Sequence, residues 1–230
     1  MPTSSDARGR QPALHQLSTP RAAAVAGVLF AILFGTVIVL ILSRMPGGLK
    51  DTAGWLNDQR SGIIAATVLM PFAGISFLWF IGVVRDKLGR YEDRFFSTVF
   101  LGSGLLFLAM MFVATAVAAA LVASNVGMTD KAAHLEVVNF GKMLVLSASK
   151  TYAIRMAAVF IISLATIWLR TGLMPRWLVA VSYAIGLTLL VASDVSMWLT
   201  LAFPGWVLLI SVVILAHATR LDQLQRTPTD

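Results

Sequence analysis

The sequence predicts an all-α bundle of about six membrane-spanning helices with both termini cytoplasmic. Of its 230 residues, 58% are hydrophobic and only 13% charged, more apolar side chain than a water-soluble domain can bury. The charges are bunched, so that long uncharged runs separate them. A helix needs roughly 20 apolar residues to cross a bilayer, so the length serves about six crossings with short connections and leaves no separate soluble domain.

Residues 1–21 are rich in Ser, Thr, Pro, Gln, Ala and Arg without an apolar period, and are expected to form a flexible cytoplasmic tail. The run Ala22 to Ser43 is longer than a signal-peptide core and lacks a small-residue cleavage site, so it reads as the first span, 22–43. Between Arg60 and Arg85 lie 24 uncharged residues, the second span at 62–84, in which Pro71 removes one helical hydrogen bond. The 35-residue uncharged run Phe95 to Thr129 holds a third span at 98–122 and ends in a loop marked by Ser124, Asn125, Gly127 and Asp130.

Only 14 residues separate Arg155 from Arg170. That is about 21 Å of helix against a hydrocarbon core of about 30 Å. A fourth span, 148–169, must therefore start before Arg155 and carry that charge to membrane depth. Asp194 follows Arg176 after 17 uncharged residues and precedes Arg220 by 25, which gives spans at 177–193 and 197–217. Residues 220–230 form a short cytoplasmic tail, and the membrane domain covers 22–219.

Lys and Arg favour the cytoplasmic side of membrane proteins. The side holding both termini carries 11 of them: Arg8, Arg10, Arg21, Arg85, Lys87, Arg90, Arg94, Arg170, Arg176, Arg220 and Arg226. The opposite side carries 7: Arg44, Lys50, Arg60, Lys131, Lys142, Lys150 and Arg155. The net charge of +7 thus reflects orientation and anionic lipid, and with no basic-aromatic motif it does not indicate nucleic acid. The absence of cysteine excludes disulfides, thiolate metal sites and cysteine nucleophiles.

Two features stand out for function. Arg155 lies 15 residues from Arg170, about 22 Å along its helix, and Asp194 lies 18 residues from Arg176, about 27 Å along the next. Antiparallel neighbours put the two at similar depth. They form an ion pair, a solute or proton site, or, at the bland end, a snorkelling Arg and an Asp in the outer turn. Lys142 and Lys150 add an outer cationic patch suited to an anion or a lipid headgroup, with interfacial lysines as the bland alternative.

The second feature is a pair of small-residue ridges, Ala23, Gly27, Ala31 and Gly35 in the first span and Ala180, Ala184, Thr188 and Ala192 in the fifth. Residues four apart share a helix face, and small side chains let helices approach closely in lipid, within the chain or between copies. His134 and Glu136 lack further ligands at a metal-binding spacing, His217 has no partner for haem, and no nucleotide-binding or hydrolase motif occurs. No cofactor is expected. The leading reading is a non-enzymatic membrane subunit or homo-oligomer among membrane lipids. The alternative is a small-solute or proton transporter or channel with a site near Arg155 and Asp194.

The stretch Leu69 to Phe112, LMPFAGISFLWFIGVVRDKLGRYEDRFFSTVFLGSGLLFLAMMF, resembles a group of actinobacterial six-span integral membrane proteins without an assigned activity. The resemblance implies a multi-pass protein of the bacterial plasma membrane. It transfers no functional residue.

Overall fold

The computed structural model describes residues 20–44, 54–88, 94–124, 131–192 and 197–226. All its regular structure is helical: α1 (Pro20–Arg44), α2 (Gly54–Leu88), α3 (Arg94–Ser124), α4 (Lys131–Leu146), a π-helical segment (Ser147–Ala153), α5 (Ile154–Thr171), α6 (Arg176–Ala192), a 3-10 turn (Met197–Leu201) and α7 (Ala202–Arg226). Among the described residues, five apolar stretches are long enough to cross a membrane: Ala22–Ile41, Arg60–Arg85, Phe95–Ser124, Leu135–Thr171 and Trp198–Ala216. The sixth apolar helix, α6, has 17 residues, about 25 Å of rise. The chain is a multi-pass helical membrane protein.

Local chemistry explains the helix ends. Pro20 opens α1, where its missing N–H is one of the donors that no helix start can satisfy internally. Gly172 closes α5 in the left-handed conformation (φ 67°), with its N–H on the Trp168 carbonyl. α2 runs unbroken through Pro71, as helices in lipid tolerate when packing holds them. α7 continues to Arg226, beyond the expected end at 217, because no Gly or Pro intervenes before Pro228.

The larger departure is at the fourth span. Instead of starting near 148, the helix is continuous from Lys131 through the π segment to Thr171. In the structure Val138, Gly141 and Val145 form a buried stripe against α3, while Glu136, Asn139, Phe140 and Met143 face outward. The expected loop over 124–130 falls almost wholly outside the described residues, as do most of the N-terminal tail, Tyr91 and Asp194.

The order of packing is α7–α1–α2–α3–α5–α6, with α6 packed mainly on α5 and touching α7 as well. The centre is filled by rings from five helices: Phe30 and Phe34 of α1, Phe77 and Phe80 of α2, Phe100 and Phe107 of α3, Phe160 of α5, and Phe203 and Trp206 of α7, all fully buried. Their centroids come as close as 4.5 Å (Phe100–Phe160), 4.6 Å (Phe30–Phe77) and 4.7 Å (Phe107–Phe203). Lipid supplies no hydrophobic drive between helices, so this interlocking dispersion contact is what favours the bundle over separated helices.

Several buried hydroxyls are satisfied along their own helices: Ser76 on the Phe72 carbonyl (2.9 Å), Thr115 on Met111 (2.9 Å) and Ser211 on Val207 (2.7 Å). Two bonds tie α6 to its neighbours. Trp206 Nε1 donates to Ser182 Oγ at 2.9 Å, and Thr166 and Tyr183 share a hydrogen bond at 2.7 Å. In a double-mutant cycle, Trp206→Phe and Ser182→Ala should couple by about 0.6 kcal/mol, with about 1.7 kcal/mol as the ceiling. Unfolding in mixed detergent micelles measures it, and additive losses would mean that the bond does not hold α6 in place.

Candidate functional site

The described residues separate the features that the sequence singles out. On α1, Ala23, Gly27 and Ala31 are buried, and a side chain on Gly27 would overlap Ser211 Oγ of α7 and lie 2.9 Å from the Phe80 ring of α2. That ridge is taken up inside the bundle. Gly35, its fourth member, faces open space.

The α6 ridge has the opposite fate. Leu178, Ser182, Gly186 and Leu189 turn toward the bundle. Ala180, Ala184 and Thr188 are exposed on the far face and Ala192 is half-buried; the Thr188 hydroxyl is bonded to the Ala184 carbonyl at 2.8 Å. Leu187 and Val191 stand exposed beside them. The result is a shallow furrow of small side chains bordered by large apolar ones.

Arg155 and Lys150 belong to the long fourth helix. Its lower end is marked by Arg170, whose guanidinium sits 4.7 Å over the Phe96 ring at the start of α3. The Arg155 guanidinium turns away from that end, with Nη1 donating to the Thr151 carbonyl at 3.5 Å. Helical side chains lean toward the N-terminus, so the charge rides one turn above its own Cα. Thr151 lies 19 residues beyond Arg170, about 28 Å, close to the far edge of a hydrocarbon core of about 30 Å. The head of Arg155 thus points toward the N-terminal end of the long fourth helix. Asp194, its expected partner, lies outside the described residues.

Lys150 is a member of the π segment and is half-buried, as is Arg155. Lys142 lies eight residues earlier, about 12 Å farther out, so the two lysines of the expected outer patch do not share a level. The coincidence of level is instead between Lys150 and the head of Arg155. Tyr152, exposed, stands between them in sequence.

Elsewhere the surface carries little chemistry. A groove of about 480 Å³ between α1 and α2 is lined by Ala22, Val25, Ala26, Leu29, Ile75, Ser76 and Trp79. Its one hydroxyl is already bonded to a backbone carbonyl. Among the described residues no three His, Asp or Glu side chains come together in a way that could hold a metal ion. No protein-family model, curated protein or solved structure matches the chain.

Proposed function

We propose that this protein works by association in a bacterial plasma membrane, with both termini cytoplasmic, as a homo-oligomer assembled through α6. The observation that carries the reading is the contrast between the two ridges: α1 spends its small residues inside the bundle, whereas α6 directs Ala180, Ala184 and Thr188 outward. Small residues at a four-residue spacing permit the close backbone approach by which helices associate in lipid. A two-fold pairing of α6 with a second α6 would seat Leu187 and Val191 of each copy beside the other's furrow, the self-complementarity that a symmetric dimer requires. The ring-filled centre of the bundle, which has no charged side chain among its fully buried members, supports the same reading over conduction through the middle.

The chain contains no cysteine, so single substitutions give unambiguous cross-links. Ala184→Cys should form a disulfide-linked dimer under mild oxidation in native membranes. Leu105→Cys, also exposed but on α3, should not. Ala184→Leu should convert the detergent-solubilised protein to monomer. Cross-linking no faster at residue 184 than at residue 105, with a monomeric wild type, would sink the proposal.

A further inference from the structure

We infer that Lys150 and Arg155 together hold one phosphate group, that of an anionic phospholipid at the membrane surface farther from Arg170. Three observations converge on it.

The first is the wide turn. In an α-helix, residues five apart diverge by about 140° around the axis. In the π segment the N–H of Ile154 bonds the Ser149 carbonyl, five residues back. That wide turn stacks residue 149 with residue 154, and both are buried. Lys150 lies within the wide turn and Arg155 two residues past its end, and both are half-buried. By widening part of the step between them, the π turn brings the two cations closer around the axis than the roughly 140° of an α-helix.

The second is level. The Arg155 guanidinium reaches the Thr151 carbonyl, so it lies beside the residue that follows Lys150. The Arg155 guanidinium and the Cα of Lys150 therefore stand about 28–30 Å above Arg170, where lipid phosphates begin. The third is the chemistry of the donors. An Arg fork offers paired N–H groups to two phosphate oxygens and a Lys supplies a mobile point charge, so the two are complementary rather than redundant on one phosphate. Exposed Tyr152 beside them is a residue type favoured at the headgroup level. The inference does not depend on the proposed α6 dimer, because α4, the π segment and α5 belong to one chain.

The test uses delipidated full-length protein in neutral detergent, with phosphatidylglycerol, phosphatidylcholine or inorganic phosphate as probes and native mass spectrometry as readout. Phosphatidylglycerol should bind wild type at a defined stoichiometry, and Lys150→Gln with Arg155→Gln should lower its retention at least fivefold. Arg60→Gln, a cation near one end of another span, should leave it unchanged. Arg155→Lys keeps the charge and should lose part of the affinity, which guards against misfolding of the double variant; circular dichroism confirms the helices. Equal losses in Arg60→Gln, or none in the double variant, would overturn the inference. Displacement of the lipid by millimolar inorganic phosphate would overturn its lipid part and assign the two cations to a free anion.

Discussion

Phe77→Ala should be the most damaging single truncation in this protein. Phe77 sits where four other helices meet: its ring lies 4.6 Å from Phe30 of α1, 5.5 Å from Phe107 of α3, 5.3 Å from Phe160 of α5 and 5.8 Å from Phe203 of α7. Emptying a buried Phe site costs about 3–5 kcal/mol in water-soluble proteins, as lost transfer energy plus a cavity. In lipid the transfer part shrinks, because a separated helix still keeps Phe77 in hydrocarbon. What remains is the loss of dispersion contact with these four rings, which cannot all collapse inward, since each is held by its own helix. The expected loss is therefore toward the lower end of that range, about 3 kcal/mol. Phe77→Leu should recover part of it. Trp79→Ala, two residues along the same helix but 69% exposed, should stay within about 0.5 kcal/mol of wild type. Reversible unfolding in mixed micelles compares the three. Equal losses at 77 and 79 would mean that the ring cluster does not organise the bundle.

Much of this architecture was legible because charges are so costly in hydrocarbon that their spacing outlines the helices. The uncharged runs after Arg21, between Arg60 and Arg85, after Arg94 and before Arg220 each fall on a long apolar helix of the structure. The miss at residues 131–147 has a physical cause. There the helix carries one polar and one apolar side, and Lys131, Glu136 and Lys142 interrupt the uncharged run from which the start near 148 was placed. A period runs beneath them. Gly141, Val145, Ser149, Ala153, Ala157 and Ile161 recur every four residues and are all buried. A strict four-residue stripe drifts by about 40° per step on an α-helix, so one wide turn is needed to keep it facing α3, and the π segment supplies it.

The candidate site was legible only in part. Arg155 was singled out for the short uncharged run beside it, and the structure shows it half-buried; its direction depends on a side-chain lean that no spacing rule states. The sequence could not separate the two ridges either. Which ridge is buried depends on helix order, and that order is decided by rings and hydroxyls of other helices, such as Phe80 and Ser211 against Gly27.

Gly27 supplies the second large effect. Gly27→Val should cost about 3 kcal/mol, the upper part of the usual overpacking range. Two opposing terms decide the sign of even the smallest change, Gly27→Ala. Ala is a better helix former than Gly by about 1 kcal/mol, which favours the substitution. Against it, the new Cβ would overlap Ser211 Oγ, and the Phe80 ring lies 2.9 Å away on the other side. The serine hydroxyl can rotate only by giving up its 2.7 Å bond to the Val207 carbonyl, and Phe80 is fully buried among other side chains. With both neighbours held, α1 must move away from α2 and α7 together, so the steric term wins and Gly27→Ala should also destabilise. Adding Ser211→Gly to Gly27→Ala should restore part of the loss, because it removes the nearer obstacle and leaves only the ring. Gly35→Val, eight residues along the same ridge with nothing within 4 Å of its Cβ position, should be close to neutral. Thermal unfolding in detergent separates these cases. A Gly35→Val loss as large as that of Gly27→Val would show that glycine matters in α1 through the helix itself and not through its seat between α2 and α7.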